Sequence, residues 1–473
     1  MPVEGTCRPA ARLSFVFTHR LLVYLMPGLV PLAVAHPQAW WFAAAWDALV
    51  LLIVLLEWLR LPRPSDLVAR REFLDPLGIG MESRVGIELR VGSVPRGLAS
   101  KPAQKSWANT AKESLAGKPA RLTAVLIKDH SPLEFDAPGQ TEIRWVGQAT
   151  GHASYVVRPR QRGDYAFGEL HLRYRGVLGL VERLARAPLT QTVRVYPNLG
   201  EAQKHALFLT RSRQVEMEKR YRRFRGRGRE FESLREWVEG DELREICWTA
   251  TSRAAKLMVR QFQFERSQQV MLLVDVGRLM QSKIGDWSKL DHAINSALSL
   301  AQVALRVGDR VGLMTFGARV KQFLPPEAGA AQLRAILELL HGVVAEPVEP
   351  NYRRAVDTLL GRMNKRALVV IFTDLAQSAG LPDLVVYSAR MRHRHLPLVL
   401  AIQHPELAAL AESAPASAKD IYRQGAAVEL LARRERQVRK LQEHGILAMD
   451  TLPDRLAIQA ISQYLEIKER ALL

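Results

Sequence analysis

Two aspartates close long apolar runs in the second half of the chain. Asp275 follows VMLLV at residues 270–274, and Asp374 follows ALVVIFT at residues 367–373. A carboxylate at the C-terminal tip of a buried strand is where open α/β sheets present a site. Two such carboxylates alone suffice for a weakly held, largely hydrated Mg²⁺. The bland alternative has each of them capping a loop or pairing with an arginine. Just upstream, GRGREFESLREWVEGDELREICWTATSR at residues 226–253 sets Arg235, Arg244 and Arg253 against Glu236, Glu239, Asp241 and Glu242, with Trp237 and Trp248 between them. One reading makes this block a docking surface. The other makes it an internal clamp, with both tryptophans buried and the charges paired around the turn at 239–241; such networks specify geometry more than they stabilise. Bond-breaking chemistry finds little support. Cys247 has no neighbouring His, and neither a Gly-x-Ser-x-Gly elbow nor a GK[ST] loop occurs. The expectation is no catalytic residues, no enzyme and no small-molecule substrate.

The block also carries a specific resemblance. Glu230, Phe231, Leu234, Arg235, Trp237, Gly240, Asp241, Arg244, Ile246, Trp248 and Arg253 fill the pattern EF-x-x-LR-x-[aromatic]-x-x-GD-x-x-R-x-I-x-W-x-x-[TA]-x-R, followed by a strand ending in Asp. In this the chain resembles the domain of unknown function 58 family, whose domain is von Willebrand factor A-like. The resemblance implies a membrane-anchored bacterial protein and a MoxR-type AAA+ ATPase as partner. It also implies a place for metal. Domains of this kind that bind a divalent cation use Asp-x-Ser-x-Ser on one loop, Thr on a second and Asp on a third. Here Asp275 and Asp374 occupy the outer positions. Gly277 and Leu279 stand where the serines belong, and residues 346–352 contain no threonine. Neither glycine nor leucine offers a side-chain oxygen, so the expectation is a degenerate site with no cofactor, or at most weak Mg²⁺.

These residues need a scaffold, and the pattern from 230 to 473 supplies one. Apolar runs at 269–275, 310–316, 367–373, 396–403 and 446–450 alternate with helical periodicity at 286–307, 329–341, 351–363, 382–393, 405–444 and 454–469, with an edge run at 319–324. Continuous apolar strands between amphipathic helices predict a doubly wound parallel α/β sheet. Residues 82–198 read differently: short alternating runs separated by turn residues predict a small β-sandwich-like stalk. Within it, residues 92–118 are polar, rich in Ala, Ser and Lys and without period, and are expected to be a disordered insertion. Residues 199–229 form a basic linker. Its Tyr221 and Phe224 among arginines raise a nucleic-acid reading, but no recognition module accompanies them, so nucleic acid is not expected; anionic lipid is the simpler partner.

Two apolar stretches, 13–35 and 39–60, precede all this and predict a two-helix transmembrane hairpin. Tryptophans mark both ends of the second, and Asp47 inside it is expected to face the first helix. Arg8 and Arg12 precede the hairpin and Arg20 lies in its first turns, Arg60, Arg63, Arg70 and Arg71 close or follow it, and the loop between has no Lys or Arg. The positive-inside rule then puts both termini and the soluble domains in the cytoplasm, on an inner membrane. The net charge of +19 in 473 residues fits an anionic surface or an acidic partner. Two cysteines far apart, Cys7 and Cys247, suit a reducing compartment. Together these features predict a membrane-anchored, non-catalytic adaptor or assembly factor. The alternatives are a metal-dependent receptor for an acidic protein ligand and a scaffold for anionic lipid or nucleic acid.

Overall fold

A computed structural model describes residues 3–10, 15–29, 37–91, 124–144, 150–198, 230–238, 246–263, 267–375, 381–470 and 472. The predicted insertion at 92–118 and linker at 199–229 lie outside these residues, as do Gly240, Asp241 and Arg244. The chain divides into two compact units, Met1–Tyr196 and Pro197–Leu473.

The first unit is built on β-sheets and reaches further back than residue 82. Its elements are β1 (Val3–Thr6), β2 (Arg8–Pro9), β3 (Phe15–Phe17), α1 (His19–Leu29), α2 (Pro37–Arg60), β4 (Leu67–Phe73), β5 (Ser83–Val91), β6 (Ala124–Asp129), β7 (Phe135–Asp136), β8 (Thr141–Arg144), β9 (Thr150–Pro159), β10 (Gly163–Phe167), β11 (Leu170–Arg175), β12 (Val181–Ala187) and β13 (Gln191–Val195). One sheet runs β1-β4-β5-β9-β7; a second runs β2-β12-β11-β6-β8, with β3 also on β12; β10 and β13 form a two-stranded third. Alternate residues of the first two sheets, among them Val85, Ile87, Leu89, Val125, Ile127, Leu172 and Tyr174, share one core, as facing sheets do. Arg71 is buried in this unit; it donates to Asp129 and to the carbonyls of Leu189 and Gly168, so its charge is fully partnered.

Helix α2 has 24 residues, about 36 Å at 1.5 Å per residue. By length and composition it is the one helix among the described residues that is apolar enough to cross a membrane. Helix α1 has 11 residues, about 16 Å, because Phe15–Phe17 pairs with β12 as a strand instead of extending it. The expectation of a first helix over 13–35 is corrected at its start, which is a strand up to Phe17; residues 30–35 lie outside the described residues. On α2, Ala43, Val50, Val54 and Glu57 are buried at helical spacing, whereas Trp40, Trp41, Phe42, Leu51, Leu52 and Leu55 are exposed. Asp47 shares the buried face, and one of its carboxylate oxygens is enclosed without a hydrogen-bond partner.

The second unit opens with β14 (Glu230–Glu236), α3 (Trp248–Ala254) and β15 (Met258–Gln263). A six-stranded sheet follows: β16 (Gln269–Asp275), α4 (Lys289–Val307) after a short hairpin of β17 (Lys283–Ile284) and β18 (Trp287–Ser288), β19 (Arg310–Phe316), β20 (Val320–Glu327), α5 (Ala330–His341), α6 (Tyr352–Arg362), β21 (Ala367–Thr373), α7 (Leu381–Arg392), β22 (Leu396–Ile402), α8 (Pro405–Glu412), α9 (Ala418–Glu443), β23 (Leu447–Thr451) and α10 (Pro453–Glu469). Its order is β20-β19-β16-β21-β22-β23, parallel except for β20. Successive residues of a strand point to opposite faces. Leu272 and Val274 of β16 accordingly join one cluster with α4 and α10, while Met271 and Leu273 join another with α6 and α7. Helix α4 starts on a Ser288–Asp291 capping box and ends at Gly308, whose φ of +96° suits the left-handed cap.

Candidate functional site

The strand order reverses direction between β16 and β21, and a parallel sheet opens a crevice at that point beyond its C-terminal tips. The last residue of β16 and the residue just after β21, Asp275 and Asp374, therefore meet there. Both are buried, and each is occupied by the protein itself. Asp275 accepts the Gly277 N–H at 2.7 Å and the Thr373 hydroxyl at 2.6 Å, and Tyr352 donates weakly at 3.5 Å. Asp374 accepts from the Lys289 ammonium at 2.5 Å and the Arg434 guanidinium at 2.6 Å. Arg434 continues into Asp450 by a two-pronged pair of 2.7 and 2.9 Å and donates to the Ile402 carbonyl at 3.0 Å.

These partners set the two carboxyls apart. Burial pushes Asp275 up to about 6; the Thr373 and Gly277 donors offset this only partly, and the nearby Asp374 charge adds to it. Burial acts on Asp374 in the same direction, but Lys289 and Arg434 outweigh it and hold that carboxyl below its ordinary value.

A divalent cation does not fit these residues. Both oxygens of Asp374 already carry a cationic partner. At Gly277 a Cβ would lie 2.9 Å from Pro350 Cδ and 3.0 Å from the Val348 carbonyl, so a serine there would have to displace the opposing loop. That loop is tied down by Arg278 N–H to Val348 at 2.8 Å and Glu346 N–H to Val276 at 2.7 Å. Leu279 lies half-buried in the short turn that follows. Among the described residues no group of three His, Cys, Asp or Glu is placed to hold a metal. Lys289 and Arg434 were not singled out from the sequence. Arg434 carried a signal, since it falls on the buried stripe Ala427, Arg434, Leu441 of α9. Lys289, first residue after an ordinary cap, carried none.

The signature block is a separate construction. Strands β14 and β15 pair antiparallel from Glu230↔Gln263 to Glu236↔Met258 with a bulge after Phe231. Helix α3 closes the hairpin through Thr251, whose hydroxyl accepts the Met258 N–H at 3.0 Å. Among its described residues, Ile246, Cys247 and Val259 are buried. Trp237 is half-buried, its N–H to the Leu257 carbonyl at 2.9 Å and its indole nitrogen enclosed without a partner. Arg235 donates to the Glu236 carbonyl, and Arg253 is exposed. Trp248 is 66% exposed, and Leu234, Val238 and Leu257 are also on the surface. The part of the clamp expectation that buries Trp248 is corrected here, since α3 turns that ring outward; the charges expected around the turn at 239–241 lie outside the described residues.

An α/β sheet with a sealed carboxylate crevice, a signature hairpin before it and an apolar helix on a separate β unit defines the class. Residues 233–446 match the family described as "Protein of unknown function DUF58", which is what this part of the chain is similar to. Among curated proteins the chain is similar to "Uncharacterized protein YeaD" of Bacillus subtilis, 24% identical over 213 residues, 44% of this chain and 49% of that one. It is also similar to "Uncharacterized protein Rv1480" of Mycobacterium tuberculosis, 24% identical over 151 residues, 32% of this chain and 48% of that one. The chain thus spans about half the length of the curated relatives it matches. Similar solved structures include the conserved hypothetical protein BatB from Bacteroides thetaiotaomicron, at 15% identity with 43% of this chain and 100% of that one covered, TM-score 0.32. An aerotolerance-related membrane protein from Bacteroides fragilis gives 13% identity, 42% and 99% coverage and TM-score 0.29.

Proposed function

We propose that this protein is a membrane-anchored, non-catalytic adaptor or assembly factor whose signature hairpin docks a partner protein. The observation that carries the reading is that Trp248, Leu234, Val238 and Leu257 are all exposed on one small module. Aromatic residues of this kind anchor protein interfaces. The partner implied by the family resemblance is a MoxR-type AAA+ ATPase. The sheet order and the helices on both faces support the doubly wound von Willebrand A-like reading. The crevice works without metal, because Lys289 and Arg434 supply its positive charge, and this weighs against the metal-dependent receptor.

We read α1 and α2 as a hairpin in a bacterial inner membrane with both soluble units in the cytoplasm. Supporting this, β1 before the helices pairs with β4 after them, which requires both flanks on one side. The arginines on those flanks favour the cytoplasmic side. A reporter fused after Leu473 tests the orientation: activity is expected from one that works in the cytoplasm, and activity from a periplasm-specific one would overturn it. Capture of the full chain from membranes, with mass spectrometry of what co-purifies, tests the adaptor role. Recovery of an AAA+ ATPase supports it; recovery of no stoichiometric protein overturns it.

A further inference from the structure

The end of α2 is fixed to the β unit, not strung from it. Glu57 is buried, and its carboxylate accepts three successive backbone N–H groups of the turn between β11 and β12: Leu178 at 3.0 Å, Gly179 at 2.8 Å and Leu180 at 2.9 Å. Such a run of amides makes an anion-binding concavity. Gly179 takes φ +67°, and a Cβ on Gly176 would sit 2.7 Å from the Glu57 carboxylate, so both glycines are needed for that approach. From the other side, the Thr18 hydroxyl donates to the Gly179 carbonyl at 2.6 Å. Arg183 then caps the helix, donating to the carbonyls of Trp58 at 2.8 Å, Pro62 at 3.1 Å and Leu61 at 3.2 Å, with its guanidinium 5.1 Å from the Trp58 ring. A cation at a helix C-terminus is favoured by the helix dipole.

This bracing turns apolar side chains outward at the level of Trp58. Val177 is 67% exposed and Leu178 50% exposed, and neighbouring Phe17 on β3 is 54% exposed. Arg20, Arg60 and Arg63 are exposed close by in the chain or at the turn; Arg20 reaches Gly179. Apolar tips continuous with the lipid-facing surface of α2 and attended by arginines match the chemistry of an anionic bilayer interface. We propose that residues 176–180, with Phe17, form a foot that sinks Val177 and Leu178 into the bilayer interface. Glu57 sets its depth, and the β unit is thereby seated on the membrane. This rests on reading α2 as a membrane span.

Spin labels report depth directly. Cys7 and Cys247 are buried, so a new surface cysteine is the site that reacts. The full chain is reconstituted in vesicles of phosphatidylethanolamine with phosphatidylglycerol and labelled, one position at a time, at Leu178→Cys, at Leu51→Cys on the exposed face of α2, and at Leu133→Cys on a fully exposed loop. Relaxation by oxygen is compared with relaxation by a water-soluble nickel chelate. The label at 178 is expected to favour oxygen, as 51 does, while 133 favours nickel. If 178 behaves like 133 while 51 still reports lipid, the foot is overturned and the span stands. If 51 also favours nickel, the span reading fails and takes the foot with it. Adding Gly176→Val, which presses on Glu57, is expected to abolish the oxygen preference at 178 and leave 51 unchanged; an unchanged 178 would overturn the role of Glu57.

Discussion

The sheet crevice and the signature hairpin use their chemistry in opposite ways. In the crevice, Asp374, Lys289 and Arg434 are buried and satisfied by one another, and Asp450 completes the chain of pairs. On the hairpin, Glu236 and Lys256 pair at the surface, where such contacts contribute little, and apolar rings and chains face water. A buried charge requires a partner, so the crevice has no free ligand to offer an outside ion. An exposed tryptophan satisfies nothing internal. On the docking reading proposed above, the hairpin is therefore the place to test for a partner, and the crevice is not.

The largest effect expected from breaking this contrast is at Arg434. Arg434→Met leaves Asp374 with Lys289 alone and strands Asp450, and removing one partner of a buried pair costs about 3–5 kcal/mol. Thermal or denaturant unfolding of the full chain in detergent should show that loss; a melting point like wild type would mean that water reaches Asp374.

Asp275 is the next test, and its sign is opposite. Its folded value near 6 lies above the ordinary 3.8, so between those pH values the folded state binds more protons than the unfolded one. Stability from this group is complete below pH ~4, falls as pH rises to ~6 and stays lower above, by about 3 kcal/mol for a shift of that size. Asp275→Asn should melt higher than wild type at neutral pH, with the difference closing toward pH ~4. A variant that melts lower at neutral pH would show that the carboxylate is stabilised there by its Thr373 and Gly277 donors.

Much of the α/β sheet was legible because each strand is an uninterrupted apolar run of ordinary length. The runs read at 310–316 and 367–373 are β19 and β21 to the residue. Periodicity also located the helices, while their first residues moved with caps such as Ser288, where the helix starts later than the hydrophobic pattern. The β unit was only partly legible. Strands Val3–Thr6 and Leu67–Phe73 are short, mixed in character and separated in sequence by two helices, so nothing local announces that they pair. The two crevice aspartates could be read because strand tips are positions defined by pattern. Their cations come from helices distant in sequence: Arg434 shows only as a cation on the stripe Ala427, Arg434, Leu441, and Lys289 looks like an ordinary surface residue until the fold closes. Trp248 was misjudged for a related reason: a tryptophan among charges says that an aromatic is wanted, not which way the helix carrying it will face.

The smallest effect on stability, and the sharpest on function, is expected at Trp248. With two-thirds of its surface already in water, truncation removes little packing, and surface substitutions typically change stability by no more than about 0.5 kcal/mol. Trp248→Ala should therefore melt within a degree or two of wild type, the shift such a change produces in a domain of this size. If the hairpin docks a partner, the same variant should lose that partner in capture from membranes, because central aromatics at interfaces cost about 2 kcal/mol or more when cut back. Measuring both on one preparation separates the cases. Unchanged melting with lost capture supports docking through Trp248. Unchanged melting with full capture moves the interface off α3, to Val238 and Leu234 or away from the hairpin altogether. A sharp drop in melting point, with capture lost in proportion to unfolding, would falsify the open-hairpin reading and return Trp248 to a packed clamp.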